Sequence, residues 1–255
     1  MPLPATLVRT LLKKKGRREH GLFLLEGASL LEEALASGLE LREIRVSPAG
    51  RASPVVTRAE TAGIPVVDET ARALERLSDL ETPPGIVAVA PTKLQPLAHV
   101  LAPAGLVLLL AGVADPGNAG TLVRAAEAFG ASGVVFADSG VEPYNPKVVR
   151  AAMGSLFRLP HALASASEII AGANAAHRRI VAADPDGAPL DEFTFPDRPI
   201  VAIGSERHGV ASWLPGWYAS AAIPHAGPTE SLNAGVAGAI VLYEWSVRQR
   251  ARLQK

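Results

Sequence analysis

The sequence predicts an α/β protein with a small α/β domain first and a larger α/β domain, built on a parallel sheet, after it. Three observations carry this. Short continuous apolar runs, such as Leu106 to Ala111 and Ile200-Val201-Ala202-Ile203, have the length and character of strands buried on both faces. They alternate with segments whose apolar residues recur at helical spacing, the pattern of βαβ units. A proline-rich, aperiodic stretch from Pro91 to Pro103 separates two such series and reads as a linker, giving domains over 1–94 and 104–255.

Residues 1 to 18 carry Arg9, Lys13, Lys14, Lys15, Arg17 and Arg18 and no acidic side chain. On charge alone this is either a solvated helix end or a phosphate-contacting patch. Phe23-Leu24-Leu25 reads as a strand turned by Glu26-Gly27. Leu30, Leu31, Ala34 and Leu35 mark a helix closed by Gly38. Ile44-Arg45-Val46 and Ile64-Pro65-Val66-Val67 are strands on either side of a helix around Ala59. Asp68 leads a helix through Leu74 and Leu77, and Ile86-Val87-Ala88-Val89 is the last strand of a small sandwich.

The second domain opens with the Leu106–Ala111 run. Asp115-Pro116-Gly117-Asn118 is turn chemistry, with Asn118 expected as the N-cap of a helix carrying Leu122, Val123, Ala126 and Phe129. Gly133 to Phe136 is the next strand, and Asn145-Pro146 starts a helix through Val148, Val149 and Ala152. Ala164 to Ala176 reads as a helix. Ile180 to Ala183 reads as a strand whose exit, Asp184-Pro185-Asp186-Gly187, is loop. The final helix, from Ala234, is expected to bury Val236, Ile240 and Tyr243, and Arg248, Arg250, Arg252 and Lys255 leave a basic tail.

Composition narrows the function. With 25 Lys and Arg against 25 Asp and Glu, no global basic field is present, so contact with nucleic acid must come from local patches. The absence of cysteine excludes disulfides, thiolate metal sites and a cysteine nucleophile. The 6 histidines show no metal-ligand spacing. Met1-Pro2-Leu3-Pro4 lacks the basic start of a secretory signal. The run from Ala104 to Ala114 is far short of the roughly 20 residues that span a bilayer. A soluble cytoplasmic protein without membrane contact is the expectation. No Gly-x-Ser-x-Gly elbow, phosphate loop or His-Glu-x-x-His is present.

Two glycine-bearing loops at strand ends dominate the rest. Gly204-Ser205-Glu206-Arg207-His208-Gly209 follows one apolar run. Pro224-His225-Ala226-Gly227-Pro228-Thr229-Glu230-Ser231-Leu232-Asn233 follows another, Ala221-Ala222-Ile223. In a parallel sheet both would face the edge where α/β folds bind ligands. Gly-x-Glu-x-x-Gly, Ile-Pro-x-x-Gly and Ser-Leu-Asn before a small-residue helix resemble motifs two and three of the SpoU/TrmH family. Asn118 and Arg124 match its motif one. That family comprises RNA ribose 2′-O-methyltransferases of the SPOUT class. The resemblance implies an L30e-like RNA-binding N-terminal domain and a C-terminal trefoil knot. Ser-Leu-Asn is followed here by Ala234-Gly235 where the family usually has Val-Ser, and His225 stands where methionine is common.

The same resemblance implies S-adenosyl-L-methionine as cofactor, a homodimer, and RNA as partner, with ribosomal RNA favoured over tRNA. It assigns Asn118, Arg124, Glu206, Ser231 and Asn233 to catalysis and Ala183, Gly204, Ile223 and Leu232 to the cofactor. It turns the basic start toward RNA through Arg17 and Arg18. Arg150, in Asn-Pro-Lys-x-x-Arg, is either a further RNA contact or an exposed helical arginine. No metal is implied. A non-catalytic RNA-binding protein that retains the fold is the alternative.

Overall fold

The architecture was obtained as a computed structural model, which describes residues 2–205, 208–228 and 231–253. The chain divides into two compact units, residues 1–93 with 144–158, and residues 94–143 with 159–255.

The first unit opens with α1 (Ala5–Thr10) and α2 (Lys14–His20), which lead into β1 (Leu22–Glu26) and α3 (Ala28–Ala36). Then come β2 (Glu43–Val46), α4 (Pro48–Arg51), α5 (Pro54–Thr61), β3 (Val66–Asp68), α6 (Ala71–Glu75) and β4 (Ile86–Pro91). The strands form one sheet in the order β1-β4-β2-β3, with β4 antiparallel to both neighbours and β2 parallel to β3. Leu24, Val87 and Val89 pack with Val8 and Leu11 of the N-terminal helices and with Leu74 and Leu77, closing a core that the apolar spacing alone dictates.

The chain continues through α7 (Leu97–Leu101), β5 (Val107–Ala111), α8 (Pro116–Ala128) and β6 (Gly133–Ala137). The next two helices, α9 (Pro146–Ala152) and α10 (Ser155–Arg158), belong by their packing to the first unit, although the sequence alone assigns them to the second domain. Phe23 of β1 stacks on Tyr144 and Phe157, with ring centroids 4.6 and 6.2 Å apart. The second unit resumes with β7 (His161–Ala164), α11 (Ala166–Ala175), β8 (Arg179–Pro189), β9 (Pro199–Gly204), β10 (Ala219–Ala222) and α12 (Ala234–Leu253). Its strands form an all-parallel sheet in the order β10-β8-β9-β5-β6-β7.

Both faces of this sheet are covered, which is why its strands read as unbroken apolar runs. Val107, Leu109 and Ala111 pack with Val100 and Leu101 of α7 and with Ile169 and Ala173 of α11. The intervening residues Leu108 and Leu110 point to the opposite face, toward α8 and α12.

Four expectations are corrected. The strand expected to end at Ala183 runs on as β8 to Pro189, because residues 188 and 189 rejoin β10 after a register shift, so Asp184 to Gly187 are strand and not loop. The stretch taken as linker contains α7, whose Leu97, Val100 and Leu101 sit at helical spacing for a single turn, too short a run to reveal a period. The helix expected from Ala164 is preceded by strand β7, where pairing with β6 overrides the helical preference of alanine. Val236, Ile240 and Tyr243 are exposed at 50%, 36% and 51%. The face of α12 turned to the core is the one carrying Gly238, Val241, Leu242 and Trp245, because the glycine lets α12 approach Leu122 of α8.

Candidate active site

The strand ends of β8, β9 and β10 and the start of α12 enclose a cavity of about 400 Å³. The strands place it where a parallel sheet delivers backbone to a ligand, at their C-terminal edge. Ala183, Gly204, Ile223 and Leu232 all line it, as do Ser231 and Asn233. The sequence does not assign to the site Asp184, Pro185, Ile203, Ser205, Gly209, Ala221, His225, Ala234 and Ala237, which complete the lining. Each lies within or beside the recognised loops, beside Ala183, or one helical turn further on. Adjacency was therefore the signal available.

Local chemistry shapes each wall. After Gly204 the chain folds back on itself, with Gly209 N donating to Ser205 O at 3.0 Å and His208 N to Ser205 Oγ at 3.2 Å. A Cβ on Gly204 would lie 2.1 Å from the Gly209 carbonyl carbon, so only glycine permits this return. Asn233 caps α12, its Oδ1 accepting from Gly235 N at 2.9 Å and Val236 N at 3.3 Å. Four small residues, Ala183, Gly204, Ala221 and Ala234, leave much of the wall as backbone.

Asn118 is not the N-cap of α8. Asp115 is, because Pro116 takes the first helical position and Asp115 Oδ1 accepts from Asn118 N at 2.7 Å. The Asn118 side chain is half-buried and reaches Gly235 of α12. A Cβ built on Gly235 would sit 3.3 Å from Asn118 Oδ1 and 3.1 Å from Asn233 Oδ1, so both amide oxygens crowd the same glycine. Arg124 stands further along α8, exposed, outside the cavity lining, and makes no hydrogen bond or ion pair among the described residues. Glu206 lies outside the described residues.

The expected RNA contacts in the first unit fare differently. Arg17 is only 4% exposed and donates to Leu11 O at 2.7 Å, so it closes the turn after α1 rather than facing solvent. Arg18 is exposed. Arg150 donates to Asp79 at 2.8 Å and to the buried Glu26 at 3.2 Å. Burial is the main reason the Glu26 carboxyl is held above its ordinary range, with Ser78 and Arg150 opposing that rise. Among the described residues no cluster of His, Cys, Asp or Glu could hold a metal ion, and no helix is long and apolar enough to cross a membrane.

Residues 105–243 match the SpoU rRNA Methylase family. The chain belongs to that family. Residues 7–88 separately match the MRM3-like substrate binding domain. The SpoU chain is 34% identical to the 23S rRNA (guanosine(2553)-2′-O)-methyltransferase of Bacillus subtilis (strain 168), over 90% of this chain and 90% of that protein. Two solved structures resemble it closely. The SpoU methyltransferase AviRb from Streptomyces viridochromogenes, in complex with the cofactor AdoMet, aligns with a TM-score of 0.87 at 28% identity, covering 98% of this chain and 99% of that one. The AdoMet-bound rRNA methyltransferase from Sinorhizobium meliloti aligns with a TM-score of 0.82 at 28% identity, covering 96% and 94%.

Proposed function

We propose that this SpoU-family chain transfers a methyl group from S-adenosyl-L-methionine to a ribose 2′-hydroxyl in structured RNA, with ribosomal RNA favoured over tRNA. One observation carries the reading: the loops matching motifs two and three close a single cavity, and the amides of Asn118 of motif one and Asn233 of motif three both border Gly235 next to it.

The cavity fits the cofactor. Its volume of about 400 Å³ falls in the range of roughly 300–1,000 Å³ typical of small-molecule sites. Its walls of small residues expose backbone donors and acceptors to a nucleoside. We assign the holding of the cofactor to Ala183, Gly204, Ile223 and Leu232. When bound, S-adenosyl-L-methionine supplies an activated methyl group on a sulfonium. What is left to the protein is alignment and help to an alcohol that is un-ionised at neutral pH. Asn118, Ser231 and Asn233 supply uncharged hydrogen-bonding groups that order the site, and Glu206 belongs with them by its place in motif two.

Arg124 is exposed and makes no ion pair among the described residues. A guanidinium does not act as a base at neutral pH, so its role is to grip the phosphate next to the target ribose and stabilise negative charge developing on the 2′-oxygen. The first unit contributes substrate binding, with exposed Arg18 as its contact. Arg17 is buried, and Arg150 is held by Glu26 and Asp79.

The exposed stripe Val236, Ile240 and Tyr243 supports pairing with a second copy of this chain, since large apolar side chains aligned on one helix face stay unburied in the lone protomer. The trefoil knot and a cytoplasmic location complete the proposal.

The test is methyl transfer from labelled cofactor to separated, unmodified ribosomal RNA and tRNA, wild type beside Arg124→Ala. Label in ribosomal RNA, mapped to a 2′-oxygen and reduced about 100-fold or more in the variant, is expected. Failure of the wild type to bind cofactor at all would overturn the reading in favour of an RNA-binding protein without catalysis.

A further inference from the structure

The N-terminal edge of the same parallel sheet, opposite the cofactor cavity, holds a second and larger cavity of about 720 Å³. Its floor is the start of β8, at Arg179 and Ile180, and the start of β10, at Ala219. One wall is the C-terminal turn of α11 with Asn174 and His177, and the other is the segment carrying Trp217 and Tyr218. Ile180 lines this cavity and Ala183 lines the other, so about 10 Å of strand separates them.

Two features call for a ligand. Trp217 is 55% exposed on the cavity wall, a large aromatic surface left uncovered by the fold. The cavity is also cationic. Arg178, 4% exposed beneath it, donates only to backbone carbonyls, those of Leu101, Gly105, Pro199 and Pro103. Arg198, behind Arg178 and outside the lining, does the same with Ala176, Leu101 and Ala102, and its buried Nε has no partner among the described residues. Arg179 and His177 are exposed at the rim, and the described lining contains no carboxylate. Carbonyls satisfy hydrogen bonds without cancelling charge, so the site presents net positive potential beside an open aromatic face.

We infer that this cavity binds a nucleotide unit, the base stacked on Trp217 and the phosphate drawn to Arg179 and His177. Stacking on an exposed aromatic side chain beside cations is the chemistry by which proteins hold unpaired nucleotides without reading sequence. Asn174 adds an amide able to meet base or ribose. The source is an RNA strand rather than a free nucleotide, a preference that rests on the function proposed above. The site then grips substrate RNA at a point away from the reacting ribose.

The full-length protein is titrated with adenosine 5′-monophosphate and with an adenylate hexaribonucleotide. Binding is followed by tryptophan fluorescence, and by anisotropy of a labelled hexamer. Trp245 is buried and Trp213 packs against the core, so quenching reports chiefly on Trp217. The expected result is quenching by the hexamer, with affinity at least ~10-fold weaker in Trp217→Ala and near wild type in Trp217→Phe. Arg179→Gln should lower the slope of log affinity against log salt by about 0.7. Tighter binding of hexamer than of monophosphate supports an RNA site, and equal binding supports a free-nucleotide site of the same chemistry. Hexamer affinity unchanged in Trp217→Ala overturns the inference. Calorimetric cofactor binding, measured on the same samples, separates that failure from failure of the methyltransferase reading.

Discussion

Gly235 and Asn118 approach so closely that even a methyl group on the glycine would crowd the pair: its carbon would lie 3.3 Å from the Asn118 carboxamide oxygen. The same atom would lie 3.1 Å from Asn233 Oδ1 and 3.5 Å from Thr121 Cγ2. Alanine in the first turn of a helix is intrinsically as good as glycine or better. Gly235→Ala is therefore expected to change the melting temperature little, the gain in helix propensity offsetting strain on the Asn233 cap, while both amides shift slightly. Methyl transfer should fall about 10-fold, equivalent to about 1.4 kcal/mol in the barrier. An unaltered rate would mean that the Asn118–Asn233 geometry has slack.

Asn233 combines capping with its place in the cavity, and the two roles separate by substitution. Asn233→Ala removes the acceptor of the Gly235 and Val236 amides and should cost about 1 kcal/mol. That corresponds to a drop of about 2–4 °C in melting temperature. Asn233→Ser keeps a capping oxygen and should melt near wild type, yet transfer methyl groups slowly. Equal melting of both variants would contradict the capping role.

Gly238 is where α12 meets α8. A Cβ there would fall 2.1 Å from Leu122 Cδ2 and 3.2 Å from Ile203 Cγ1. Gly238→Ala should destabilise by about 1–3 kcal/mol through overpacking. Leu122→Ala alone should cost about 2–5 kcal/mol through the space it leaves. The double variant should be more stable than the sum of the two by about 1 kcal/mol, since each change relieves the other. Strict additivity in urea denaturation would show that the helices do not touch at this point.

His161 makes the second unit acid-sensitive. Burial pushes its imidazole below the ordinary value of 6.5, a drop only partly offset by the contact of Nδ1 with Leu159 O at 2.9 Å. Above 6.5 the ring is neutral in both folded and unfolded chains, and its contribution is fully present. As pH falls below that value the unfolded chain takes up a proton before the folded one, so stability is lost until the depressed folded value is reached. His161→Asn should remove a slope of up to about 1.4 kcal/mol per pH unit in that window. Trp213, Trp217 and Trp245 all lie in this unit, so their fluorescence in urea follows its unfolding. Coincident pH profiles of wild type and variant would rule the effect out.

The cavity was legible because Gly204, Ile223 and Ser231-Leu232-Asn233 sit in loops whose spacing is set by backbone requirements, and backbone requirements show in sequence. What escaped depends on partners distant in the chain. Asp115 and Asn118 are both competent caps, and only the position of Pro116 decides between them. Val236, Ile240 and Tyr243 share a helix face as well as Val241, Leu242 and Trp245 do. The core-facing side is chosen by Gly238, whose value lies in the approach of Leu122. Arg17 and Arg18 are neighbours of equal charge, and the turn after α1 buries one and leaves the other in water. Trp217 carried no motif, and its cavity exists only because β8, β10 and α11 converge.

Strand β8 pairs with β10 through Val181–Ala219 and Ala182–Ser220, leaves the ladder, and rejoins it at Ala188–Ala221. Its return is pinned at Gly187, where a Cβ would strike the Ser220 carbonyl carbon at 2.5 Å. Between those two anchorages, Ala183, Asp184 and Pro185 form cavity wall. Side chains from 183 to 185 therefore face the cavity between two fixed points of the sheet. One side of the cavity is thus a panel hung between two hinges of the sheet, whose side chains can set what fits inside while the frame holds its shape.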